Sequence, residues 1–207
     1  MLVIVDYGVG NLFSLQSSFA FIGKEAIVSG DPDVIAQADR LVLPGVGAFG
    51  DAAEKLREKG LHKLIQKRAA EGVPMMGICL GMQLLFDTSL EYGCHEGLSL
   101  IKGTIRPIGE VIGEDLKIPH IGWNALHFYG EKHPIFRYIE EGDHVYFVHS
   151  YYGADCKDSL IATTEYGAEL TAAVARGNVV GCQFHPEKSG QVGLNILRGF
   201  CEWEGGR

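Results

Sequence analysis

The sequence has few of the features that mark membrane, secreted or nucleic-acid-binding proteins. Its opening, MLVIVDYGVG, is apolar for only five residues before it turns acidic and glycine-rich, which predicts neither a signal peptide nor a membrane span. The 18 lysines and arginines are scattered, the formal net charge is -8, and no basic run could follow a phosphate backbone. We therefore expect a cytoplasmic protein that binds neither nucleic acid nor a membrane.

Cysteine is also sparse, with five in 207 residues. These are Cys79, Cys94, Cys156, Cys182 and Cys201. An odd number of widely spaced cysteines, none in a CxxC pair, argues against a disulfide framework and against a zinc site, so no metal is expected. Most of them are expected to be small core residues, and any functional cysteine has to be identified by its neighbours.

The composition is otherwise that of an ordinary folded protein, with 46% hydrophobic and 21% charged residues. No linker-like composition, low-complexity tract or internal repeat divides the sequence. We expect one domain over residues 1–207, which is a normal domain size. Disordered and collagen-like classes are excluded by the same composition.

The first half alternates short apolar runs with amphipathic stretches, a pattern typical of parallel strands covered by helices. Strands are predicted at residues 2–7, 25–29, 40–45 and 73–78. Helices are predicted between them, with Asn11 and Asp31 as N-caps and a break at Gly60, and another helix is predicted over residues 80–87. The predicted fold class is α/β, a single domain with a mainly parallel central sheet flanked by helices.

The second half, from about residue 98 to 184, is rich in β-branched and aromatic residues and is broken by glycines. This composition predicts antiparallel hairpins that extend the sheet. A final helix is predicted over residues 189–203, with Ser189 as its cap. The helices and the parallel strands therefore belong mainly to the first half of the domain.

One cysteine is distinguished by its neighbours. Cys79 lies in GICLGMQ, residues 77–83, where a predicted strand meets a predicted helix. A nucleophile on such a sharp turn faces the substrate, and Gly77 and Gly81 leave room for the turn to close. The helix N-terminus also favours thiolate over thiol. On this segment alone, a buried core cysteine is an equally good interpretation.

A base for that nucleophile is offered by CQFHPEKS, residues 182–189. His185 and Glu187 are two positions apart in an extended segment, so both side chains point to the same side. Glu187 would accept a hydrogen bond from one imidazole nitrogen, which leaves the other to take the proton of Cys79. The alternatives are a His-Pro-Glu turn on the surface and, less favoured, a metal site that lacks a third ligand at a suitable spacing.

A tetrahedral intermediate also needs hydrogen-bond donors for its oxyanion. The N–H of Leu80 is one candidate, and the turn LPGVGAFG, residues 43–50, can bring a second backbone N–H alongside it. A phosphate-binding loop is a weaker interpretation of that turn, because no Gly-Lys-Ser/Thr follows it. Residues 8–13, GVGNLF, likewise lack the third glycine of a dinucleotide-binding motif.

These motifs together resemble a known family. GICLGMQ in the first half, with FHPE near the end, is similar to the class I, cysteine-triad glutamine amidotransferases. Within that class, the motifs DYGVGN, PGVGAF, PHIGWN, YFVHSYY and FHPEKS resemble, in the same order, the glutaminase subunits of imidazole glycerol phosphate synthases. The resemblance covers almost the whole chain and implies a flavodoxin-like α/β fold.

The resemblance implies a role for each matching residue. Cys79 would be the nucleophile, His185 the general acid and base, and Glu187 the carboxylate that orients His185. The residues implied at the oxyanion and at the glutamine substrate are Val46, Gly47, Leu80, Gln83, Glu91, His149, Ser150 and Tyr151. Gln83 lies at i+4 from Cys79 and so on the same helix face, whereas only the resemblance supports Glu91.

The implied reaction is hydrolysis of L-glutamine to glutamate and ammonia through a cysteinyl thioester, with no cofactor. The implied partner is a (βα)8-barrel cyclase subunit, which forms a heterodimer with the glutaminase and uses its ammonia in histidine biosynthesis. The residues implied to face this partner are Trp123, Asn124, Tyr146 and Lys188. Two alternatives stay open: a glutaminase for another synthase, such as pyridoxal phosphate synthase, and a non-catalytic binding protein on the same fold.

Overall fold

A computed structural model describes residues 1–206 of the chain. Its strands are β1 (Leu2–Val5), β2 (Ala26–Ser29), β3 (Arg40–Leu43), β4 (Met75–Ile78), β5 (Phe86–Ser89), β6 (His95–Glu96), β7 (Ile101–Pro107), β8 (His120–Ala125), β9 (His127–Phe128), β10 (His144–His149), β11 (Tyr151–Ala154), β12 (Leu160–Glu165), β13 (Glu169–Arg176) and β14 (Val179–Cys182). Its α-helices are α1 (Leu12–Phe21), α2 (Pro32–Ala36), α3 (Phe49–Glu58), α4 (Leu61–Ala70), α5 (Leu80–Leu84) and α6 (Gly190–Glu202). Within residues 1–206, no helix is both long enough and apolar enough to cross a bilayer.

The central sheet has eight strands in the order β2-β1-β3-β4-β14-β13-β12-β9. The strands from β2 to β14 in this order run parallel, and β13, β12 and β9 continue the sheet in antiparallel pairing. The predicted α/β class is thereby confirmed. Ile78 of β4 lies opposite Cys182 of β14, so the segments that follow these two strands leave the sheet at the same edge.

Alternate residues of the parallel strands contribute to two hydrophobic cores. Val3 and Leu41 belong to a core that also contains side chains of α2, α3 and α4. Ile4 and Val42 belong to the other core, together with side chains of α1 and α6. Helices therefore cover both faces of the sheet, which is why the strands β1, β4 and β14 are buried along their whole length.

The second half differs in part from the prediction. Strands β9, β12 and β13 extend the central sheet, but β8 and β10 form a separate antiparallel pair, and β11, β7, β5 and β6 form a sheet of four strands. Phe86 of β5 packs within this last sheet, where its buried ring fills the space that a side chain at Gly103 or Gly153 would need. The prediction that antiparallel hairpins extend the sheet is therefore confirmed for β9, β12 and β13 and wrong for the other strands of this half.

The same ring explains an error in the first half. The helix predicted over residues 80–87 is too long, since α5 ends at Leu84 and the chain continues as β5. Packing of Phe86 against β7 and β11 holds residues 86–89 in extended conformation. Tertiary contacts, which the local pattern does not contain, decide where this helix ends.

Most of the predicted helix boundaries are confirmed. The side chains of Asn11 and Asp31 each accept a hydrogen bond from a backbone N–H in the first turn of the helix that follows. Gly60 separates α3 from α4 with a φ of 69°, a value that favours glycine. Ser189 is the N-cap residue of α6, as predicted, but its hydroxyl donates to the His185 carbonyl and makes no capping bond to the helix.

Candidate active site

Cys79 lies on a sharp turn between β4 and α5. Its φ of 54° and ψ of -113° are unusual for a residue with a side chain, and its N–H donates to the Cys182 carbonyl at 2.8 Å. A Cβ on Gly77 would lie 2.6 Å from the Gly81 carbonyl oxygen, and a Cβ on Gly81 would lie 1.8 Å from the Leu43 carbonyl oxygen. Both glycines are therefore needed for α5 to begin so close to β3 and β4.

His185 and Glu187 form the pair that their spacing predicts. His185 Nδ1 and Glu187 Oε1 are 2.8 Å apart, and both side chains are buried. An ionised carboxylate only accepts hydrogen bonds, so Nδ1 carries a proton and Nε2 is the nitrogen left for chemistry. The backbone of His185 is held as well, because its N–H donates to the Tyr146 carbonyl and its carbonyl accepts from the Ser189 hydroxyl.

The electrostatics of His185 fit an acid–base role beside Cys79. Its Nε2 is buried and has no hydrogen bond of ordinary geometry within residues 1–206. Burial by itself lowers the pKa of the ring, but the neighbouring Cys79 sulfur and Glu187 carboxylate outweigh burial and raise the pKa of His185 to about 9. At neutral pH the ring therefore holds two protons, and its Nε2 proton is available for transfer to a leaving group.

A cavity of about 580 Å³ opens beside Cys79, which is in the size range of small-molecule sites. The predicted residues in its lining are Val46, Gly47, Cys79, Leu80, Gln83, Glu91, His149, Ser150, Tyr151, His185 and Lys188. Glu187 does not line the cavity, because it is buried behind the His185 ring. The structure thus brings segments from distant parts of the chain together around one sulfur atom.

Two polar side chains in the lining are held in fixed positions. Glu91, which no spacing rule supported, is only 9% exposed, and its carboxylate accepts a hydrogen bond from the Phe49 N–H at 2.6 Å. Gln83 is 6% exposed and donates to the Tyr151 carbonyl at 3.4 Å. A carboxylate and an amide therefore border the cavity, and these groups suit the ammonium and carboxylate ends of an amino acid.

The glycine-rich turn over residues 44–47 lies against the start of α5. A Cβ on Gly45 would lie 2.7 Å from the Tyr7 hydroxyl and 2.9 Å from the Leu80 Cβ, so no side chain fits there. The Tyr7 hydroxyl donates to the Pro44 carbonyl at 2.6 Å, and burial raises the pKa of Tyr7 well above its ordinary value, so the group stays a donor. The turn is therefore anchored where it leaves β3, and its later residues reach the cavity.

Two buried histidines connect the cavity wall to β8. His149 Nδ1 lies 2.8 Å from the Tyr151 carbonyl oxygen, and His149 Nε2 lies 3.0 Å from His120 Nδ1. His120 Nε2 lies 2.9 Å from Asn124 Oδ1, and the Asn124 amide donates to the Glu165 carbonyl. Burial lowers the pKa of His149 to about 4, so this ring is neutral at pH 7. Asn124 is therefore part of an internal network.

Trp123, Tyr146 and Lys188 form a patch at the side of the cavity. Trp123 is 53% exposed, and its ring meets the Tyr146 ring edge-on at 6.0 Å between centroids. The Lys188 Nζ lies 5.9 Å from the centre of the Tyr146 ring, and Lys188 also lines the cavity. Neighbouring strand residues point to opposite sides, so Asn124 faces away from this patch.

Gln183 and Tyr7 belong to the site although no sequence motif predicted them. Gln183 is fully buried, and its Nε2 lies 3.7 Å from Cys79 Sγ. Its position two residues before His185 in an extended segment was a usable signal, because such residues share a side. No local signal points to Tyr7, which meets the turn over residues 44–47 because β1 pairs with β3.

Comparisons with known proteins agree with this geometry. The family model described as glutamine amidotransferase class-I matches residues 3–202. The imidazole glycerol phosphate synthase subunit HisH of Sulfurimonas denitrificans is 50% identical, with 98% of each chain covered, and that of Lactococcus lactis is 48% identical, with 97% of this chain and 98% of the relative covered. A crystal structure of a glutamine amidotransferase matches 97% of both chains with a TM-score of 0.76 at 19% identity. The chain therefore belongs to the class-I glutamine amidotransferase family.

Proposed function

We propose that this protein is a glutaminase that supplies ammonia to the cyclase subunit of an imidazole glycerol phosphate synthase, in histidine biosynthesis. The observation that carries the proposal is that Cys79 and His185 line one cavity of suitable size, with the buried Glu187 carboxylate bound to the His185 ring. Relatives that are about half identical over nearly the full length are named as subunits of that synthase.

The reaction starts with attack of the Cys79 thiolate on the amide carbon of glutamine, which moves negative charge onto the amide oxygen. His185 then gives its Nε2 proton to the amide nitrogen, so that ammonia leaves and a thioester remains. In the second half, His185 takes a proton from water as the water oxygen attacks the thioester carbon. The bond between carbon and sulfur breaks, glutamate leaves, and Glu187 keeps the ring oriented throughout.

Backbone donors at the edge of the sheet would stabilise the oxyanion. The first N–H groups of α5, beginning with Leu80, have no partner within the helix. The second donor is assigned to Val46 or Gly47, in the turn that Tyr7 anchors. Glu91 would bind the ammonium end of the substrate. The backbone N–H groups of residues 149–151, His149, Ser150 and Tyr151, would hold its carboxylate end, beside the Gln83 side chain, whose NH₂ group is already given to Tyr151 and Gln183.

The patch of Trp123, Tyr146 and Lys188 is assigned to the interface with a (βα)8-barrel cyclase, in a heterodimer. Its support is its position, because an exposed aromatic patch beside the cavity offers ammonia a short path to a partner. Asn124 faces away from the patch, so only the family resemblance supports its assignment to the same interface. We further assign the protein to the cytoplasm, where its free cysteines would stay reduced.

The proposal is tested by measuring glutamate release with the purified cyclase subunit of a related synthase and its nucleotide substrate. Cys79→Ala is expected to lower the rate by about 10³-fold or more, because the covalent step is lost. Cys94→Ala makes the same change at an exposed cysteine and should leave the rate unchanged. Cyclase product should form from glutamine with the wild-type chain and with Cys94→Ala but not with Cys79→Ala, and from added ammonium salt with all three.

A glutamine-analogue electrophile gives an independent check. Peptide mass spectrometry should find its label on Cys79 in preference to the other four cysteines. Label mainly on another cysteine, or glutamate release by the Cys79→Ala variant, would contradict the assignment of the nucleophile. Glutamate release without any glutamine-dependent cyclase product would contradict the assignment of the partner.

A further inference from the structure

A buried amide contacts the nucleophile. Gln183 follows β14 and is 0% exposed, and its Nε2 lies 3.7 Å from Cys79 Sγ, within the range of a hydrogen bond to sulfur. Its Oε1 accepts a hydrogen bond from Gln83 Nε2 at 3.0 Å. Both ends of this side chain are therefore occupied by groups of the active site. The acyl-transfer steps described above use neither end.

The orientation of the Gln183 amide is fixed by its neighbours. The Tyr151 carbonyl can only accept, so Gln83 has to present its NH₂ group to it. The same NH₂ group has a second hydrogen, which it gives to Gln183 Oε1. Gln183 is then left with its own NH₂ group facing Cys79. Reversing this amide would place its NH₂ group against the NH₂ group of Gln83, which has no acceptor to offer there, and would leave the sulfur without a donor from Gln183.

We propose that Gln183 is a further catalytic residue, which stabilises the Cys79 thiolate by donating an N–H hydrogen bond to its sulfur. The proposal deepens the proposed glutaminase function and rests on it for its role in turnover. When the thiol proton passes from Sγ to His185 Nε2, negative charge appears on the sulfur. A donor that is already in place then forms a charge-assisted bond, which is stronger than its bond to a neutral thiol.

Two backbone groups near the Cys79 sulfur do not donate a hydrogen bond to it. The Val148 carbonyl lies 4.0 Å from Sγ and can only accept, so it favours the thiol. The Cys79 N–H is already given to the Cys182 carbonyl and cannot turn to the sulfur. Gln183 is fully buried, so its hydrogen bond is not screened by water. The Gln183 amide and the His185 ring therefore both act on the equilibrium between thiol and thiolate at Cys79, and they approach the sulfur from different elements of the site.

The test is the rate of alkylation of Cys79 by iodoacetamide as a function of pH, followed by peptide mass spectrometry. In Gln183→Met the side chain keeps its length and loses its donor. We expect the midpoint of the Cys79 profile to move up by about one pH unit, which makes alkylation about tenfold slower below the midpoint. Cys94 is exposed and is alkylated in the same sample, so it serves as the internal reference.

Two further variants separate this effect from loss of structure. Gln66→Met makes the same chemical change on α4, where the amide donates to the Leu98 carbonyl at 2.9 Å, and it should leave the Cys79 profile unchanged. Gln183→Asn keeps the amide but withdraws it from the sulfur by one carbon, and it should move the profile as Gln183→Met does. Thermal unfolding of each variant identifies any that does not fold. If one Gln183 variant does not fold, the Cys79 profile of the other Gln183 variant tests the proposal.

An unchanged Cys79 profile in a folded Gln183 variant would overturn the proposal, as would an equal change in Gln66→Met. Alkylation needs neither glutamine nor a partner, so this result is independent of the proposed function. If the wild-type protein releases no glutamate but the Gln183 variants still shift the Cys79 profile, the glutaminase function is refuted and the role of Gln183 stands. If the wild-type protein releases glutamate but the Gln183 variants leave the Cys79 profile unshifted, only the role of Gln183 is refuted.

Discussion

At the scale of single residues, the site depends on a charge that is kept away from water. The Glu187 side chain is 2% exposed, and its Oε2 has no hydrogen-bond partner within residues 1–206. Its other oxygen is bound to His185. A buried carboxylate with one strong partner stabilises the protonated ring relative to the neutral ring, in addition to the effect of the Cys79 sulfur.

We expect Glu187→Gln to lower kcat/KM for glutamine by about 10²-fold, because the amide accepts from Nδ1 but does not stabilise the imidazolium. The wild-type pKa of His185 is raised to about 9, and removing the carboxylate lowers it. The leaving-group proton is lost as the pH rises through that pKa, so the alkaline fall in rate should begin at a lower pH in the variant. The measurement is glutamate release across pH 6 to 10.

Glu141→Gln is the matched control for this prediction. Glu141 Oε1 lies 3.1 Å from His127 Nδ1, so the contact is similar, but both side chains are more than half exposed. Water screens such a pair, and the pH profile of glutamate release should match that of the wild type. Identical profiles for wild type and Glu187→Gln would show that the buried carboxylate has no electrostatic part in the reaction.

Which site residues were predictable depends on how local their signal is. Cys79 has flanking glycines, and His185 and Glu187 have the two-residue spacing of an extended segment, so residue pattern alone indicates both motifs. Glu91 and Tyr7 have no such pattern, because their contacts are made by strands and loops distant in sequence. The structure places Glu91 at the cavity. Its role in binding the ammonium end of glutamine, which the resemblance implies, stays a prediction.

At the scale of elements, the position of the nucleophile depends on how closely α5 approaches β3. Only glycine at position 81 allows this close contact, because a Cβ on Gly81 would lie 1.8 Å from the Leu43 carbonyl oxygen. Backbone atoms of a central strand cannot move aside without breaking the pairing with β1 and β4. The turn and the sheet therefore constrain each other, and Cys79 inherits its position from both.

We expect Gly81→Ala to lower the free energy of unfolding by about 3 kcal/mol, because the added methyl group overpacks the contact with β3. Urea unfolding followed by circular dichroism measures the loss. Gly109→Ala is the control, since its Cβ would meet only the end of the Ile118 side chain, at 3.0 Å, and a change within about 0.5 kcal/mol is expected. Equal losses in the two variants would show that the close approach is not what limits this turn.

The elements that were predicted correctly have signals within their own length. The apolar runs of β1, β3 and β4 and the caps Asn11 and Asp31 are of this kind. The end of α5 is different, because residues 80–87 have the composition of a helix and only the packing of Phe86 turns the last of them into a strand. The same is true of β8 and β10, whose local pattern suits any antiparallel sheet and does not specify which one.

At the scale of the whole molecule, the cavity lies where the carboxyl ends of β4 and β14 meet the patch of Trp123, Tyr146 and Lys188. His185 N–H is bound to the Tyr146 carbonyl, so the base and the patch share a strand contact. The Tyr146 N–H also donates to the Ser189 hydroxyl, which donates to the His185 carbonyl, so a partner that displaced the patch would act on the position of the base through these backbone contacts. This arrangement suits an enzyme whose activity is coupled to assembly.

We expect Trp123→Ala to weaken binding of the cyclase subunit by about tenfold, because a large exposed aromatic beside a cavity is typical of interface hot spots. Titration of the labelled cyclase with the chain measures the apparent Kd. Phe21→Ala removes an aromatic that is 76% exposed at the far end of α1, on the opposite edge of the sheet, and should leave the Kd unchanged. Equal effects of both substitutions would place the interface elsewhere.

The position of β14 has a consequence for the synthesis of this protein. It is the last strand of the described chain, yet it lies inside the central sheet between β4 and β13. A nascent chain that ends before residue 179 therefore exposes the edge of β4 and carries the Cys79 thiol without its base. Such a chain is catalytically silent, and its open edge is a template for wrong pairing. Ammonia release is thus impossible until residues 179–187 have been made and β14 has been inserted between β4 and β13.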